Sequence, residues 1–413
     1  MRKLPLVFIL FLLFSLPVWG DFAEFYNSIA PPEAALDPNT GLTVFPILLI
    51  PSGGRYEGMG TAFTAVADDS GFIEANPSGS SLLEYTELSF THNNWIADSN
   101  MEGVVYSVRF GDLGIGFGGK FLYVPFTEYD QWGERSSKGY YTESLATMNI
   151  SYNFFSSYYF YGLAVGTNIK VAFRTLPSGI YETNSIDSQT ALMAMADVGI
   201  LTRFNFLKFY HSRGKNLSVG AVVKNLGPFS LGEPLPTEVT FGFSYAPIRP
   251  LLLAFDFNLP FSFDPANYPP ERWGISAGMD LAFTNFFSIQ TGFKYRGSNP
   301  KISVGSMVDL AKVSFTVNYT MDLTTSSNSV DHFSIQARLK LGDRGRADLQ
   351  SRIDELYTSG LEAYANGKLT EAISFWDKVL ELDPSFQPAN EMKLTAQRAL
   401  NLRREMEAIQ QVE

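Results

Sequence analysis

The runs VSFTVNYTM at residues 313–321 and FSIQARLKL at 333–341 decide the fold. In the first, Val313, Phe315, Val317, Tyr319 and Met321 alternate with Ser314, Thr316, Asn318 and Thr320. In the second, Phe333, Ile335, Ala337, Leu339 and Leu341 alternate with Ser334, Gln336, Arg338 and Lys340. Successive side chains of a strand point to opposite faces, so each run gives a strand with one apolar and one polar face. A third run, FSIQTGFKYR at 287–296, repeats the pattern.

Eleven further runs follow the same rule, near Glu84–Trp95, Gly103–Phe110, Leu113–Val124, Tyr140–Phe154, Tyr158–Arg174, Gln189–Phe206, Asn216–Lys224, Glu238–Tyr245, Leu251–Leu259, Arg272–Phe283 and Lys301–Val308. Fourteen strands over residues 84–342 leave roughly 18 residues per strand and connection, which suits membrane strands of ~9–11 residues with extensions. The connections alternate in length, as short turns on one side and long loops on the other require. The sixth, Leu207 to Lys215, is long where it should be short, and the eleventh, Gly297 to Pro300, is short where it should be long. Phe154, Phe155 and Tyr158 to Tyr161 read as interfacial girdle residues. A soluble sandwich also alternates, but needs neither the girdle nor alternating loop lengths. Hydrocarbon tolerates no open sheet edge, so the reading is an all-β membrane protein, a 14-stranded antiparallel transmembrane β-barrel.

Outward from the barrel the composition changes. Arg2 and Lys3, the apolar stretch Leu4 to Leu16, and the small residues Val18 and Gly20 predict a signal peptide over 1–20, with Asp21 beginning the mature chain. Every later apolar run is broken within a few residues, so no transmembrane helix is expected. The 413 residues hold no cysteine, which excludes a Cys lipid anchor, disulfides and thiolate metal sites. A net charge of −11 argues against nucleic acid or an anionic membrane surface as partner. His92, His211 and His332 lack ligand spacing and no nucleophile motif is present, so no metal site, cofactor or catalytic residue is expected and an enzyme is disfavoured.

Residues 55–79 read RYEGMGTAFTAVADDSGFIEANPSG. Gly58, Met59, Gly60, Ala62, Ala65, Ala67, Asp68, Asp69, Asn76, Pro77 and Gly79 resemble a signature of FadL-like outer-membrane proteins, including the PorV group and a spirochaete branch. Residues 221–228 (AVVKNLGP) and 235–239 (LPTEV) resemble a second segment of that family. The resemblance implies a fourteen-stranded barrel in the cell outer membrane, with residues 21–83 folded inward as a hatch. The alternative is that the Gly- and Ala-rich stretch simply makes a tight turn and short helix before the first strand. Ser78 stands where the family usually has Ala, and the last strand continues past Leu341-Gly342 where many such barrels end on an aromatic residue. The implied function is passive uptake of long-chain fatty acids or other hydrophobic small molecules. Arg109, Lys294, Arg296 and Arg338 are candidate lumen cations for a carboxylate head group; the alternative is that they neutralise lumen acids such as Asp256 and Asp322.

After Asp343 aromatics thin out. Leu356, Gly360, Ala372, Trp376, Val379 and Pro384 resemble the pattern of one tetratricopeptide repeat, with Gly367 ending its first helix and Thr370 capping its second. A third helix begins near Pro388. An even strand count puts both ends of the barrel on one side, so residues 343–413 form a periplasmic helical module that docks on a protein partner, another copy or the barrel rim. The rival to transport is a PorV-like scaffold whose module recruits a periplasmic or secretion partner.

Overall fold

The computed structural model describes residues 37–96, 98–129, 132–175, 190–210, 214–230, 232–323 and 331–410. The expected signal peptide and residues 21–36 lie outside these. Fourteen strands form one closed antiparallel barrel: β1 Glu87–Asn94, β2 Asn100–Phe110, β3 Leu113–Tyr129, β4 Arg135–Phe154, β5 Leu163–Thr175, β6 Ala191–Phe204, β7 Leu217–Leu226, β8 Glu238–Ile248, β9 Leu251–Pro260, β10 Gly274–Thr284, β11 Phe287–Arg296, β12 Asn299–Asp309, β13 Val313–Asp322 and β14 His332–Lys340. Each strand pairs with its sequence neighbours, and β1 closes on β14 with Glu87 opposite Lys340 and Asn94 opposite Phe333.

The alternation is inverted relative to a soluble protein. On β13 Ser314, Thr316, Asn318 and Thr320 are buried while Phe315, Val317 and Tyr319 are 46%, 38% and 41% exposed. The apolar face therefore points out, as a wall in hydrocarbon requires, and the polar face meets an interior that is filled.

Residues 37–83 fill it. A short 3-10 turn, Pro46–Leu48, precedes helix α1, Gly54–Gly58; helix α2, Phe72–Ala75, and a second 3-10 stretch, Pro77–Leu82, lead to β1. Pro51, Gly54, Ile73 and Pro77 each give a backbone carbonyl to an inward Asn of the wall: Asn93 on β1, Asn318 on β13, Asn168 on β5 and Asn149 on β4, at 2.9–3.0 Å. An irregular chain cannot satisfy its own backbone, so the wall does it.

Three helices follow the barrel: α3 Arg346–Ala365, α4 Leu369–Leu382 and α5 Gln387–Gln410. Leu356, Gly360, Ala372, Trp376 and Val379 lie in or against their shared core, and a side chain at Gly360 would meet the Trp376 indole. Pro384 is exposed after α4. Gly367 follows α3 with φ +74°, the left-handed geometry that lets Gly stop a helix. Thr370 lies inside α4, whose cap position is Lys368 with no side-chain cap.

Two strand expectations need correction. Residues 125–139 are mostly strand, because β3 and β4 pair on to Tyr129 and Arg135. Tyr158 to Tyr161 belong to the turn before β5, not to the strand. The sixth and eleventh connections keep their anomaly: residues 205–216 are long, whereas Gly297-Ser298 makes a tight turn with positive φ at both residues.

Candidate functional site: a lumen closed by residues 37–83

The family-like motif forms the part of the filling nearest the helical module. Gly60 has φ +61° and lies against Gly292 and Phe293 of β11; Met59 is fully buried beside it and touches the Gly278 position on β10. Asp68 and Asp69 receive Arg55, at 2.7 and 3.3 Å, and Arg55 also reaches Asp280 on β10 at 2.9 Å. Asp69 caps the Gly71 amide and holds Arg338 of β14 at 2.8 Å. Asn76 donates to the Thr64 and Ile200 carbonyls and accepts from the Ser78 amide, and its Pro77 neighbour gives its carbonyl to Asn149. Asp256 accepts the Phe63 and Thr64 amides at 3.1 and 3.0 Å rather than pairing with a cation.

Sequence reasoning missed the complement of this motif in the wall. Added side chains at Gly114, Gly166, Gly199, Gly242, Gly278 or Gly292 would strike residues 59–81 within hard contact. These glycines sit at inward positions of six different strands, forming a ring into which the filling fits. Glycine inside a strand pattern marks close backbone approach, and that signal was available.

Toward the far end the packing loosens on one side. Val44, Phe45, Ile47 and Ile50 bury themselves against Met101, Leu122, Leu145 and Met195, on the β2–β6 side. On the β11–β13 side a cavity of about 260 Å³ remains, many times the roughly 10–15 Å³ that one water needs. Pro46, Leu49, Ile50, Pro51 and Trp95 supply its apolar lining, with Glu57, Glu271, Lys294, Arg296, Lys301 and His332 as its charged or ionisable groups. A smaller cavity of about 50 Å³ adjoins it past Ile50 and shares Lys294 and Arg296.

The four candidate cations separate here. Arg338 and Arg109 are elsewhere, the first on Asp69, the second donating to the Gly111 and Leu83 carbonyls near the module. Arg296 is in the cavity but is held by Glu238 at 2.7 Å and Glu271 at 2.8 Å. Neighbouring lumen lysines are matched in the same way: Lys120 with Glu74, Lys170 with Asp197, Lys301 with Asp322. Lys294 lines both cavities and, among the described residues, has no hydrogen-bond or ion-pair partner. Glu57 accepts from Thr320 and Ser334 at 2.9 and 2.7 Å and lies 3.2 Å from His332.

A barrel sealed around an inward segment, with an apolar cavity inside, invites comparison with known proteins. The sequence profile of the uncharacterised protein family UPF0164 matches residues 27–344. The chain belongs to that family. A UPF0164 protein of Treponema pallidum is 29% identical over 373 residues, covering 86% of this chain and 83% of the relative. A second from the same organism is 28% identical over 383 residues, covering 87% and 76%. Among solved structures, the Ralstonia pickettii toluene transporter TbuX aligns with a TM-score of 0.50 at 11% identity, over 71% of this chain and all of that one. The Pseudomonas putida toluene transporter TodX aligns over 70% of this chain and 97% of its own at 12% identity, with a TM-score of 0.47. The fold of this UPF0164 member is thus that of outer-membrane barrel channels.

The helical module meets the barrel at the end bearing Arg109. Arg346 donates to the carbonyls of Arg109 and Leu83, at 3.2 and 3.4 Å, and to that of Glu84. Tyr158 stacks edge-on against Phe386, so one expected girdle residue instead anchors the module.

Proposed function

We propose that this protein is an outer-membrane channel for hydrophobic small molecules that carry an anionic head, long-chain fatty acids being the leading class, with residues 37–83 as its hatch and the helical module in the periplasm. One observation carries the reading: an apolar cavity inside the barrel holds a lysine, Lys294, left without a partner while its neighbours are matched. A buried cation is costly unless paired, and a ligand carboxylate completes the pair. The apolar lining takes the tail. Barrel neighbours described as toluene transporters support a hydrophobic cargo.

The test is binding of a fluorescent fatty acid and of a neutral hydrocarbon probe to the purified full chain and to Lys294→Gln. A charged hydrogen bond contributes about 1.5–3 kcal/mol, so fatty-acid affinity should fall roughly 10- to 150-fold with the neutral probe unaffected. Equal affinity of both proteins for the fatty acid removes Lys294 from the site; no binding by either removes the channel. A second reading, a scaffold whose tetratricopeptide-like module recruits a protein, is favoured by Leu394, Leu402 and Met406 on α5, which are 45%, 59% and 54% exposed. Removing residues 343–413 should then abolish a co-purifying protein and leave fatty-acid binding intact.

A further inference from the structure

The sixth connection, residues 205–216, is the longest at the module end. Its sequence NFLKFYHSRGKN holds Lys208, Arg213 and Lys215 and no acidic residue. It is not a slack loop at its base. Asn216 brackets Phe206, accepting its amide at 2.9 Å and donating to its carbonyl at 2.7 Å, and the Tyr245 hydroxyl donates to the Leu207 carbonyl at 2.9 Å. Those bonds hold three large apolar side chains in the open: Phe206 is 54%, Leu207 61% and Phe209 73% exposed.

Phe206 continues a file of outward side chains that runs down β6 through Val198, Ile200 and Phe204. That file is the lipid-facing surface of the barrel, so the apolar face of the connection is its extension past the last strand hydrogen bond. Cations crown it. Lys208 and Lys215 lie in the connection itself, donating to the Gly214 carbonyl and, at 3.2 Å, to the Tyr159 carbonyl, and Arg249 lies in the neighbouring β8–β9 turn. The Lys208 ammonium also lies 5.1 Å from the centre of the Tyr210 ring. The chain's overall −11 charge therefore misdescribes this face.

We propose that Phe206, Leu207, Lys208, Phe209 and Lys215, with Arg249, form an interfacial anchor for anionic phospholipid in the membrane leaflet at the module end: Phe206, Leu207 and Phe209 enter the acyl boundary while Lys208, Lys215 and Arg249 meet headgroup phosphates. Aromatic side chains favour that boundary and basic groups beside it attract anionic headgroups. A protein partner is the lesser fit, because the apolar file is continuous with surface already in lipid. The anchor is independent of what the lumen carries.

The test uses the full chain in nanodiscs of phosphatidylcholine containing a minor fraction of phosphatidylglycerol, with the lipids retained by the protein read by native mass spectrometry. The wild type should enrich phosphatidylglycerol, and rising salt should weaken the enrichment. In the variant Lys208→Gln/Lys215→Gln/Arg249→Gln the enrichment should fall on the order of tenfold or more, given the worth of each cation at such a surface. A photo-crosslinking side chain placed at Phe209 in native membranes gives a second readout should that variant misassemble. Label on phospholipid supports the anchor. Unchanged phosphatidylglycerol enrichment in the variant, no enrichment in the wild type, or label carried only by a protein overturns it.

Discussion

Residues 53–83 and residues 37–52 both occupy the lumen, yet the wall holds them by different means. The first stretch lies backbone against backbone on a ring of wall glycines, with Asp69 bridging Arg55 and Arg338. The second is held at the far rim by side chains: Asp37 on the Arg272 amide at 2.6 Å, Glu271 on the Gly41 amide at 3.3 Å, Glu143 on the Ile47 amide at 2.9 Å, and the apolar cluster around Phe45. Contacts of the first kind fail together if the chain slides by one residue; contacts of the second kind can open one at a time. The difference teaches that the fitted part, the floor of the lumen, is the harder of the two to displace, so that in the proposed channel the rim segment is the one to test as the route to the cavity.

The largest effect should come from breaking the fit. Gly292→Leu puts a side chain where the Met59-Gly60 backbone lies. We expect loss of the compact barrel, seen as loss of the fast-migrating band on unheated gels; a normal band would show that the ring tolerates displacement. Arg338→Ala comes next, leaving Asp69 and Glu87 short of their cation. Removing one partner of a buried pair costs about 3–5 kcal/mol, to be read as a lowered denaturant midpoint. Tethering sharpens the comparison without that cost, and the lack of native cysteine makes it clean. Thr40→Cys/Gly297→Cys fixes the rim segment to the wall, while Ser80→Cys/Ser151→Cys, whose hydroxyls are 2.6 Å apart, fixes the floor. Oxidation should reduce fatty-acid uptake to background in the first pair and leave it unchanged in the second. The reverse result would make the floor the moving part.

The smallest effect is at the module's base. Asp343 accepts the Gly345 and Ala347 amides at 3.0 and 2.7 Å, and those bonds, that of Ala347 first, hold its carboxylate below the usual range. A depressed carboxylate stabilises the folded form above its unfolded value and loses that contribution as pH falls through the lower folded value. Module attachment, followed by protease sensitivity around Arg344, should be flat from pH 7 to about 5 and weaken only below the ordinary Asp value of about 3.9. In Asp343→Asn this acid dependence should vanish.

The barrel was legible because alternation is local: Ser314 to Thr320 declare their faces within seven residues. The strand count followed from the same kind of reading, whereas the inward placing of the motif was implied by a family resemblance. What stayed hidden depends on register across the sheet. Arg296 and Lys294 look alike in sequence, two positions apart on one face, and only the placing of Glu238 and Glu271 beside Arg296 leaves Lys294 as the cation to spare. Likewise Gly166 and Gly199 read as weak spots in strands until the backbone they accommodate is known. The rim segment, too, has no periodic signature; it is defined by the wall it meets.

The seam has a consequence for how the molecule is made. Glu87 opposite Lys340 joins the two ends of the barrel sequence, and beyond it the Thr86 carbonyl accepts the Leu341 amide while the Thr86 amide donates to the Gly342 carbonyl. Such a closure has the longest range of any pairing in the chain and comes late in folding. A floor that matches its wall glycine by glycine has no passage by which to enter a finished cylinder. It must already lie on the sheet when the edges meet, serving as the mandrel around which the barrel is wrapped, so a chain synthesised without residues 53–83 should assemble more slowly even if the finished wall is stable.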